Sequence, residues 1–548
     1  MADANTYVVK ASAATLRRAS RDPVVYWMGR MPWSHKIDPR LARHVGLAPV
    51  AGPGDDDIEP GHAMIALYDP EDGVPMQSEI ERLGLRIEDA DREIGLLHVA
   101  GIDAARAASV AALPGVAFID ARRNHRIALE TSVDLCGNLD WVRDTYTFGA
   151  GVTMGLIDSG FEINHDAFVG WSPLPALFAL GWNVSGEGSV WDDNPSGHGT
   201  HVAGIMMSRW RGPNLVGVAP RSSGDVNHQF RVVRTGKNTG PASTVYNADQ
   251  AIDILGNDNG AQVINCSWSS NNNTGTDATS VKVDAAVWLR NQVYVFAAGN
   301  DGTGAGSIDS PAAAKNAIAV GSVNNNAGRA LSTFSSQGPT ADSRQKPDIF
   351  APGNSITSAN AANLHGSVDM SGTSQATPHV TGFLAGLLDH YADFQRRPAL
   401  AKAYTMATAT RRNDLPTRTG ILNGADAHFS SATTGGVWSW TDNDTRPFSY
   451  TYFDMTVPTG VTEMYVVLTW IEQEPLVGAA RAVVNDVDLY VDYNRDQNGY
   501  GEWSSTSSRD NVEFVRIVNP PAGPYRIATR NYSTPNLYRS GVGVFYRK

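Results

Sequence analysis

Short, wholly apolar runs separated by helical stretches constrain this chain more than any other feature. Between residues 152 and 320 they fall at 152–157, 202–207, 263–266, 293–298 and 317–320. A strand with no polar side has to be covered on both faces. Runs of this kind alternating with helices predict a parallel sheet sandwiched by helices, an α/β fold. The pattern changes on either side. Upstream, 62–68, 93–100 and 116–119 read as strands; 76–83 reads as a helix ended by Gly84, and Asp103 caps an Ala-rich helix running to Leu113. This α+β unit of about 60–70 residues is marginal alone. The basic segment 121–126 that follows reads as an exposed linker. Beyond Thr433 the residues alternate and turns are frequent, at 450–453, 464–470, 487–491, 512–517, 525–529 and 542–546. That predicts an antiparallel β-sandwich of about 110–120 residues. The expected divisions are 1–60, 61–128, 129–430 and 431–548.

Composition excludes several classes. The 548 residues carry a net charge of −12, which argues against a nucleic-acid partner. No apolar run approaches the ~18–20 residues that span a bilayer. Two cysteines exclude a disulfide scaffold. Cys136 and Cys266 pair only if the fold brings their Cα atoms within about 7 Å; the alternative is two buried thiols. Met1-Ala2-Asp3-Ala4-Asn5 has neither a basic n-region nor an apolar core, so no secretory signal is read there. The chain is then either intracellular or has lost such a signal.

Three strings carry chemistry. Gly155-Leu156-Ile157-Asp158-Ser159-Gly160 is an apolar strand ending in Asp and a turn. Gly197-His198-Gly199-Thr200-His201-Val202-Ala203-Gly204 sets a histidine at a Gly-flanked helix start. Ser371-Gly372-Thr373-Ser374-Gln375-Ala376-Thr377-Pro378 sets a serine where a loop enters a helix. Singly, each has a bland reading as a turn or a helix cap. Together they supply a carboxylate, an imidazole base and a hydroxyl nucleophile, the set acyl transfer needs. Their order along the chain, Asp then His then Ser, is the subtilisin order.

On these strings the chain resembles the subtilisin-like serine proteases (subtilases, peptidase family S8) over roughly residues 130–425. Phe178-Ala179-Leu180-Gly181, Asn265-Cys266-Ser267-Trp268, Phe334-Ser335-Ser336-Gln337-Gly338-Pro339 and Val484-Asn485-Asp486-Val487-Asp488-Leu489 resemble its large, oxidatively stable alkaline proteases with a C-terminal β-domain. The resemblance implies a subtilisin-like parallel-sheet domain, a preceding ferredoxin-like propeptide that folds and inhibits it, and a jelly-roll-like sandwich after it. Residues 1–60 are then a propeptide extension. Ser374 is the expected nucleophile, His198 the base, Asp158 its orienting carboxylate and His201 a structural histidine. Phe296-Ala297-Ala298-Gly299-Asn300 resembles the family's oxyanion strand, with Asn300 and the Ser374 N–H as donors. Gln375 stands where a methionine is more common, so activity is expected to survive peroxide.

Ser267, Trp268 and Ser269 resemble the strand that pairs with the substrate backbone, beside Gly299. Alignment puts Asp309 near the floor of the P1 pocket, where a carboxylate favours Arg or Lys; a surface turn is the competing reading. Autoprocessing is expected near 122–130, where basic residues agree with that preference. Asp486, Asp488, Asp492, Asn494 and Asp496 set oxygen atoms at a spacing seen in calcium loops, against a polar hairpin tip as the alternative. The stretch 211–215 lacks the long calcium-binding insertion of small subtilisins. No cofactor is expected for catalysis, only structural Ca²⁺. The implied protein is a secreted, monomeric endopeptidase made as a proenzyme, with peptide substrates and its own propeptide as partners. A glutamate-based sedolisin is excluded by His198, and a lipase by the absence of a Gly-x-Ser-x-Gly elbow at Ser374. The remaining alternative is a latent or pseudoprotease scaffold that binds partners through its sandwich.

Overall fold

A computed structural model describes residues 36–47, 58–67, 73–91, 95–123, 125–127, 149–168, 179–191, 193, 196–208, 217–222, 228–237, 244–257, 260–326, 328–412, 415, 418, 420–423, 434–442, 449–495 and 501–548. The N-terminal extension up to residue 35, Cys136, the stretch 211–215 and Asp496 lie outside the described residues. Two compact units emerge. One holds residues up to 124 with 276–281 and 475–482; the other holds the rest.

The first unit runs α1 (Pro39–His44), β1 (Ile58–Leu67), α2 (Gly73–Arg82), β2 (Arg86–Asp91), β3 (Leu96–Ala100), α3 (Ala104–Ala111), β4 (Val116–Arg123). Its sheet has the order β2-β3-β1-β4 and is antiparallel throughout. The run on β1 lacks a polar side because both faces are covered. Ala63, Ile65 and Leu67 meet Ile80 and Val110 of the helices. Met64 and Ala66 meet Val281 and Val477. Asp103 caps α3 as its sequence predicts, accepting from Arg106 N at 2.8 Å. One strand carries no sequence signal and one expectation fails here. Arg-Ile-Glu-Asp-Ala-Asp lacks an apolar pattern, yet it forms β2; it is an edge strand, where charges are tolerated. The segment 121–126 is no linker. Ala121 and Arg123 pair with Ala63 and Ile58 within β4, and a further strand, β5, spans His125–Ile127.

The second unit opens with β5 and continues β6 (Met154–Asp158), β7 (Ala179–Asn183), α4 (His198–Met207), β8 (Phe230–Arg234), β9 (Thr244–Val245), α5 (Ala248–Asn257), β10 (Val263–Cys266), β11 (Trp268–Ser269), α6 (Ala278–Arg290), β12 (Val293–Ala297), β13 (Ile318–Asn324), β14 (Ile349–Asn354), β15 (Ile356–Ala359), β16 (Ser367–Met370), α7 (Thr373–His390), α8 (Pro398–Thr408), β17 (Thr410–Arg411) and β18 (Gly420–Ile421). Nine strands form one sheet in the order β17-β18-β14-β13-β12-β10-β6-β8-β7, parallel except between β17 and β18. Strand order reverses between β6 and β10, and a crevice at such a reversal is where open α/β sheets place their ligands. Helices α4 and α7 cover one face, through Val202, Met206, Val380 and Phe383. The other face is covered through Ile252 and Leu255 of α5 and Val283 and Val287 of α6.

The expectation of a strand at 202–207 is wrong: these residues are the second half of α4. All ten residues of that helix are buried, so no polar stripe marks its period, and a short apolar run then looks the same in a strand or a helix.

Eight strands complete the unit: β19 (Thr434–Asp442), β20 (Tyr450–Val457), β21 (Glu463–Glu472), β22 (Asp486–Tyr493), β23 (Trp503–Ser505), β24 (Val512–Val518), β25 (Gly523–Ser533) and β26 (Tyr538–Arg547). They form two antiparallel four-stranded sheets, β19-β26-β21-β24 and β20-β25-β22-β23, around one core that includes Val466, Leu468, Leu489 and Ile527. Helix α8 lies on the first sheet. A Cβ on Gly541 would come within 2.3 Å of the Leu400 Cα, and one on Gly543 within 2.9 Å of the Tyr404 Cα, so only glycine permits this approach. Ala403, Met406 and Ala407 of α8 pack on Tyr465, Val467 and Phe545 of that sheet.

Candidate active site

The three chemical strings converge at the strand-order reversal. Asp158 is the last residue of β6, His198 the first of α4 and Ser374 the second of α7. His198 Nδ1 lies 2.7 Å from Asp158 Oδ1, and neither side chain has solvent-accessible surface. The carboxylate makes Nδ1 the protonated nitrogen and leaves Nε2 as a base. His198 Nε2 has no hydrogen-bond partner among the described residues. The Ser374 hydroxyl donates to the Ser267 carbonyl oxygen at 2.9 Å and is turned away from that base. Ser267 Oγ in turn donates to Ser374 O at 2.8 Å and accepts from Asn265 Nδ2 at 2.9 Å, which ties the end of β10 to α7.

Asn300 sits beside the start of α7. Its Oδ1 accepts from Thr373 N at 2.9 Å and Thr373 Oγ1 at 3.1 Å. These two bonds fix the amide, and its Nδ2 is a buried donor without a partner. As the second residue of α7, Ser374 has a backbone N–H that helix geometry leaves without an intrahelical acceptor. Two donors beside a hydroxyl suit a developing oxyanion.

His201 is held otherwise. Its Nε2 is 3.0 Å from Ile356 O and 3.1 Å from Val368 O, and burial, reinforced by His198, depresses its pKa to about 3. It stays a neutral structural ring. Burial likewise lowers His379 to about 4 and pushes the free Cys266 thiol well up, so neither offers a competing nucleophile or base near neutrality.

Strand β11 is the edge of a three-stranded antiparallel sheet, β11-β5-β9. Trp268 pairs with Ile127 and Ser269 with Arg126, while His125 and Arg126 pair with Val245 and Thr244. The middle strand is therefore the chain's own segment. The Trp268 side chain is buried, with Nε1 donating to Ile157 O at 3.0 Å and the ring against Phe296. Asp309 is 5% exposed, which overturns the surface-turn alternative. Its Oδ2 accepts from Ser269 Oγ at 2.9 Å, and a Cβ on Gly299 would come within 2.4 Å of that oxygen. Gly299, with φ +108°, is what lets the carboxylate lie against the oxyanion segment.

The metal-loop residues do not gather. Alternation on β22 puts Asp486, Asp488 and Asp492 on one side, but Asp488 lies opposite Arg530 and Asp492 opposite Arg526. Asp488 also accepts from Tyr490 OH at 3.0 Å. Asn494 has φ +63° and donates its N–H to Pro524 O at 2.9 Å. Among the described residues no three His, Cys, Asp or Glu side chains could hold a metal ion.

A family model described as the subtilase family matches residues 149–427. The chain belongs to the subtilases. Subtilisin DY of Bacillus licheniformis is 34% identical over 245 residues, 44% of this chain and 78% of that protein. Thermitase of Thermoactinomyces vulgaris is 34% identical over 241 residues, 44% of this chain and 75% of that one. The solved structure of fervidolysin from Fervidobacterium pennivorans, described as a keratinolytic enzyme related to subtilisin, overlays with a TM-score of 0.55. It covers 85% of this chain and 70% of that chain at 17% identity, a likeness of fold alone. As a subtilase the chain is a serine endopeptidase. Among the described residues no helix is long and apolar enough to cross a membrane.

Sequence reasoning missed one member of this subtilase site. Asp193 is buried beside the start of α4, with Oδ1 accepting from Ser159 Oγ at 2.5 Å and Oδ2 from both Thr200 N and Thr200 Oγ1 at 2.6 Å. The available signal was Gly197, the N-cap of α4, which has no side chain to cap that helix. The free N–H groups then need an acceptor from elsewhere, and an aspartate stands four residues earlier.

Proposed function

We propose that the chain is a proenzyme whose Asp158, His198 and Ser374 cleave peptide bonds through an acyl-enzyme. The observation that carries this is the 2.7 Å His198–Asp158 contact beside the start of α7. Rotation of the Ser374 hydroxyl from Ser267 O toward His198 Nε2 completes the triad. Ser374 Oγ attacks the substrate carbonyl as Nε2 takes its proton. Asn300 Nδ2 and the Ser374 N–H receive the oxyanion. The imidazolium, steadied by Asp158, gives its proton to the leaving amine; water then repeats the sequence on the acyl group.

Strand β5 supports the proenzyme reading. It takes the middle position between β11 and β9, where a substrate would add as a strand. On this reading the ferredoxin-like order of the first sheet belongs to a propeptide, and β5 is its product-like tail. Ser267 precedes Trp268, so the antiparallel register offers Ser374 the bond just beyond Ile127, not the basic residues 122–126. The new N-terminus is expected between 128 and 130. The basic run then gives no support to a basic P1 preference, which rests on Asp309 alone. That buried carboxylate, backed by Ser269, favours Arg or Lys at P1.

Purified wild type and Ser374→Ala, each incubated with a mixed peptide library and read by mass spectrometry, test all three statements. Cuts after Arg and Lys in wild type only, with a new terminus at 128–130, are expected. Equal cutting by both proteins discards the triad. Cuts after apolar residues discard the Asp309 argument and keep the protease.

A further inference from the structure

The start of α4 is capped from outside the helix. Its Gly197 cap supplies no side chain, and the two N–H groups after His198 go elsewhere: Gly199 N to Ser159 Oγ at 2.9 Å, Thr200 N to Asp193 Oδ2 at 2.6 Å. Ser159 and Asp193 are joined by the 2.5 Å bond between Ser159 Oγ and Asp193 Oδ1. Ser159 also donates its backbone N–H to Asp158 Oδ1 at 2.7 Å, the oxygen that holds His198. A single carboxylate thus joins the residue after Asp158 to the turn that begins with His198. A third link runs through Thr200, whose Oγ1 donates to Asp193 and accepts from Glu162 N at 3.0 Å.

We propose that Asp193 is a positioning residue of the catalytic site: its carboxylate locks Ser159 and the first turn of α4 into one arrangement and so fixes the line between Asp158 and His198. The inference rests on the triad reading above. All three donors that reach Asp193 need it as an acceptor, so the ionised form is the one that fits. Protonation would place a hydrogen against Ser159 Oγ–H or Thr200, and the network would have to turn. Burial holds its pKa up at about 6, opposed by the bonds from Ser159 and Thr200 and reinforced by Asp158. Asp158, reached through Ser159, is the ionisable group that acts on it.

The test is steady-state kinetics of the full chain on casein across pH 4–9, with thermal melting of each variant. Asp193 must be unprotonated in wild type, so kcat is expected to fall more steeply on the acid side than in Asp193→Asn. In Asp193→Asn kcat at pH 8 drops about ten- to a hundredfold with KM within twofold, the size expected of a small misplacement. Ser159→Ala keeps the cap on Thr200 but cuts the link to Asp193, and is expected to lose kcat in the same sense. If Asp193→Asn fails to accumulate, Ser159→Ala decides: lower kcat at unchanged KM supports the inference, wild-type kcat overturns it. A variant that melts lower yet keeps wild-type kcat and acid slope shows mere stabilisation and overturns it. Wild type no more active than Ser374→Ala overturns the triad reading, and this inference with it.

Discussion

Two buried polar regions of this molecule treat their hydrogen bonds in opposite ways. Where α8 and the neighbouring loops meet the sandwich, every polar atom of the central ion pairs is answered. Asp348 accepts from Lys402 at 2.9 Å, Lys346 at 2.7 Å and Ala319 N at 2.8 Å. Both lysines also reach Ala317 O at 3.0 Å. Glu472 accepts from Lys315 at 2.9 Å and from the N–H groups of Val484 and Asn485 at 2.7 and 2.9 Å. Around Ser374 the reverse holds: His198 Nε2, Asp158 Oδ2, Asn300 Nδ2 and both amide atoms of Gln375 are buried without partners among the described residues. A structural cluster closes on itself because an unanswered buried group is costly. A site that must bind a transition state keeps donors and acceptors in reserve.

If that contrast is right, deletions in the two regions do different damage. Glu472→Ala leaves Lys315 charged and buried, with an expected loss of about 3–5 kcal/mol in unfolding experiments and unchanged kcat in the molecules that stay folded. Asn300→Ala should do the opposite, lowering kcat about 10²–10³-fold while the melting temperature stays near wild type. A melting point that falls as far as in the Glu472 variant would erase the distinction. Asp309→Ser is expected to lower kcat/KM for Arg at P1 by roughly two orders of magnitude and spare apolar P1 peptides.

Asp284 sharpens the comparison from the structural side. It accepts from Asn316 N at 2.8 Å, but its Oδ2 has no partner, and burial outweighs the pull of Lys315 to hold its pKa up at about 6. The unfolded value is near 4, so between about pH 4 and 6 the folded state holds more protons. Stability from this residue is therefore lost as pH rises through that window. Asp284→Asn should melt higher than wild type at pH 8, by an amount equivalent to at most about 2–3 kcal/mol, and show little gain at pH 4. Last, dilute peroxide is expected to leave activity almost unchanged, since Gln375 has no sulfur beside the nucleophile; rapid inactivation would show that another methionine governs the site.

The catalytic strings were legible because each is local. A strand end, a helix start and a loop entering a helix each display their chemistry within eight residues; the structure sets His198 against Asp158 and Asn300 against Thr373 at the start of α7. What was not legible depends on neighbours distant in sequence. Asp193 caps the nearby Thr200, but its link to the strand end needs Ser159, 34 residues away. The run at 202–207 hides its helical period because every face is buried. β2 hides its strand character because an edge admits charges. The basic segment looked like a linker since a strand that pairs through its backbone needs no apolar pattern.

Helix α8 has a consequence for how the enzyme is made. One side, through Leu400 and Tyr404, belongs to the core under the parallel sheet; the other, through Ala403, Met406 and Ala407, needs Phe545 on β26. It is a party wall between two rooms, and the second room follows the first along the chain. β26 leaves the ribosome after every other described strand, so a nascent chain can lay down β6, β10 and α7 long before that wall is finished. Domains generally fold as synthesis releases them. Here the half that carries Ser374 and the half that carries β26 share one helix, so neither core is fully closed without the other.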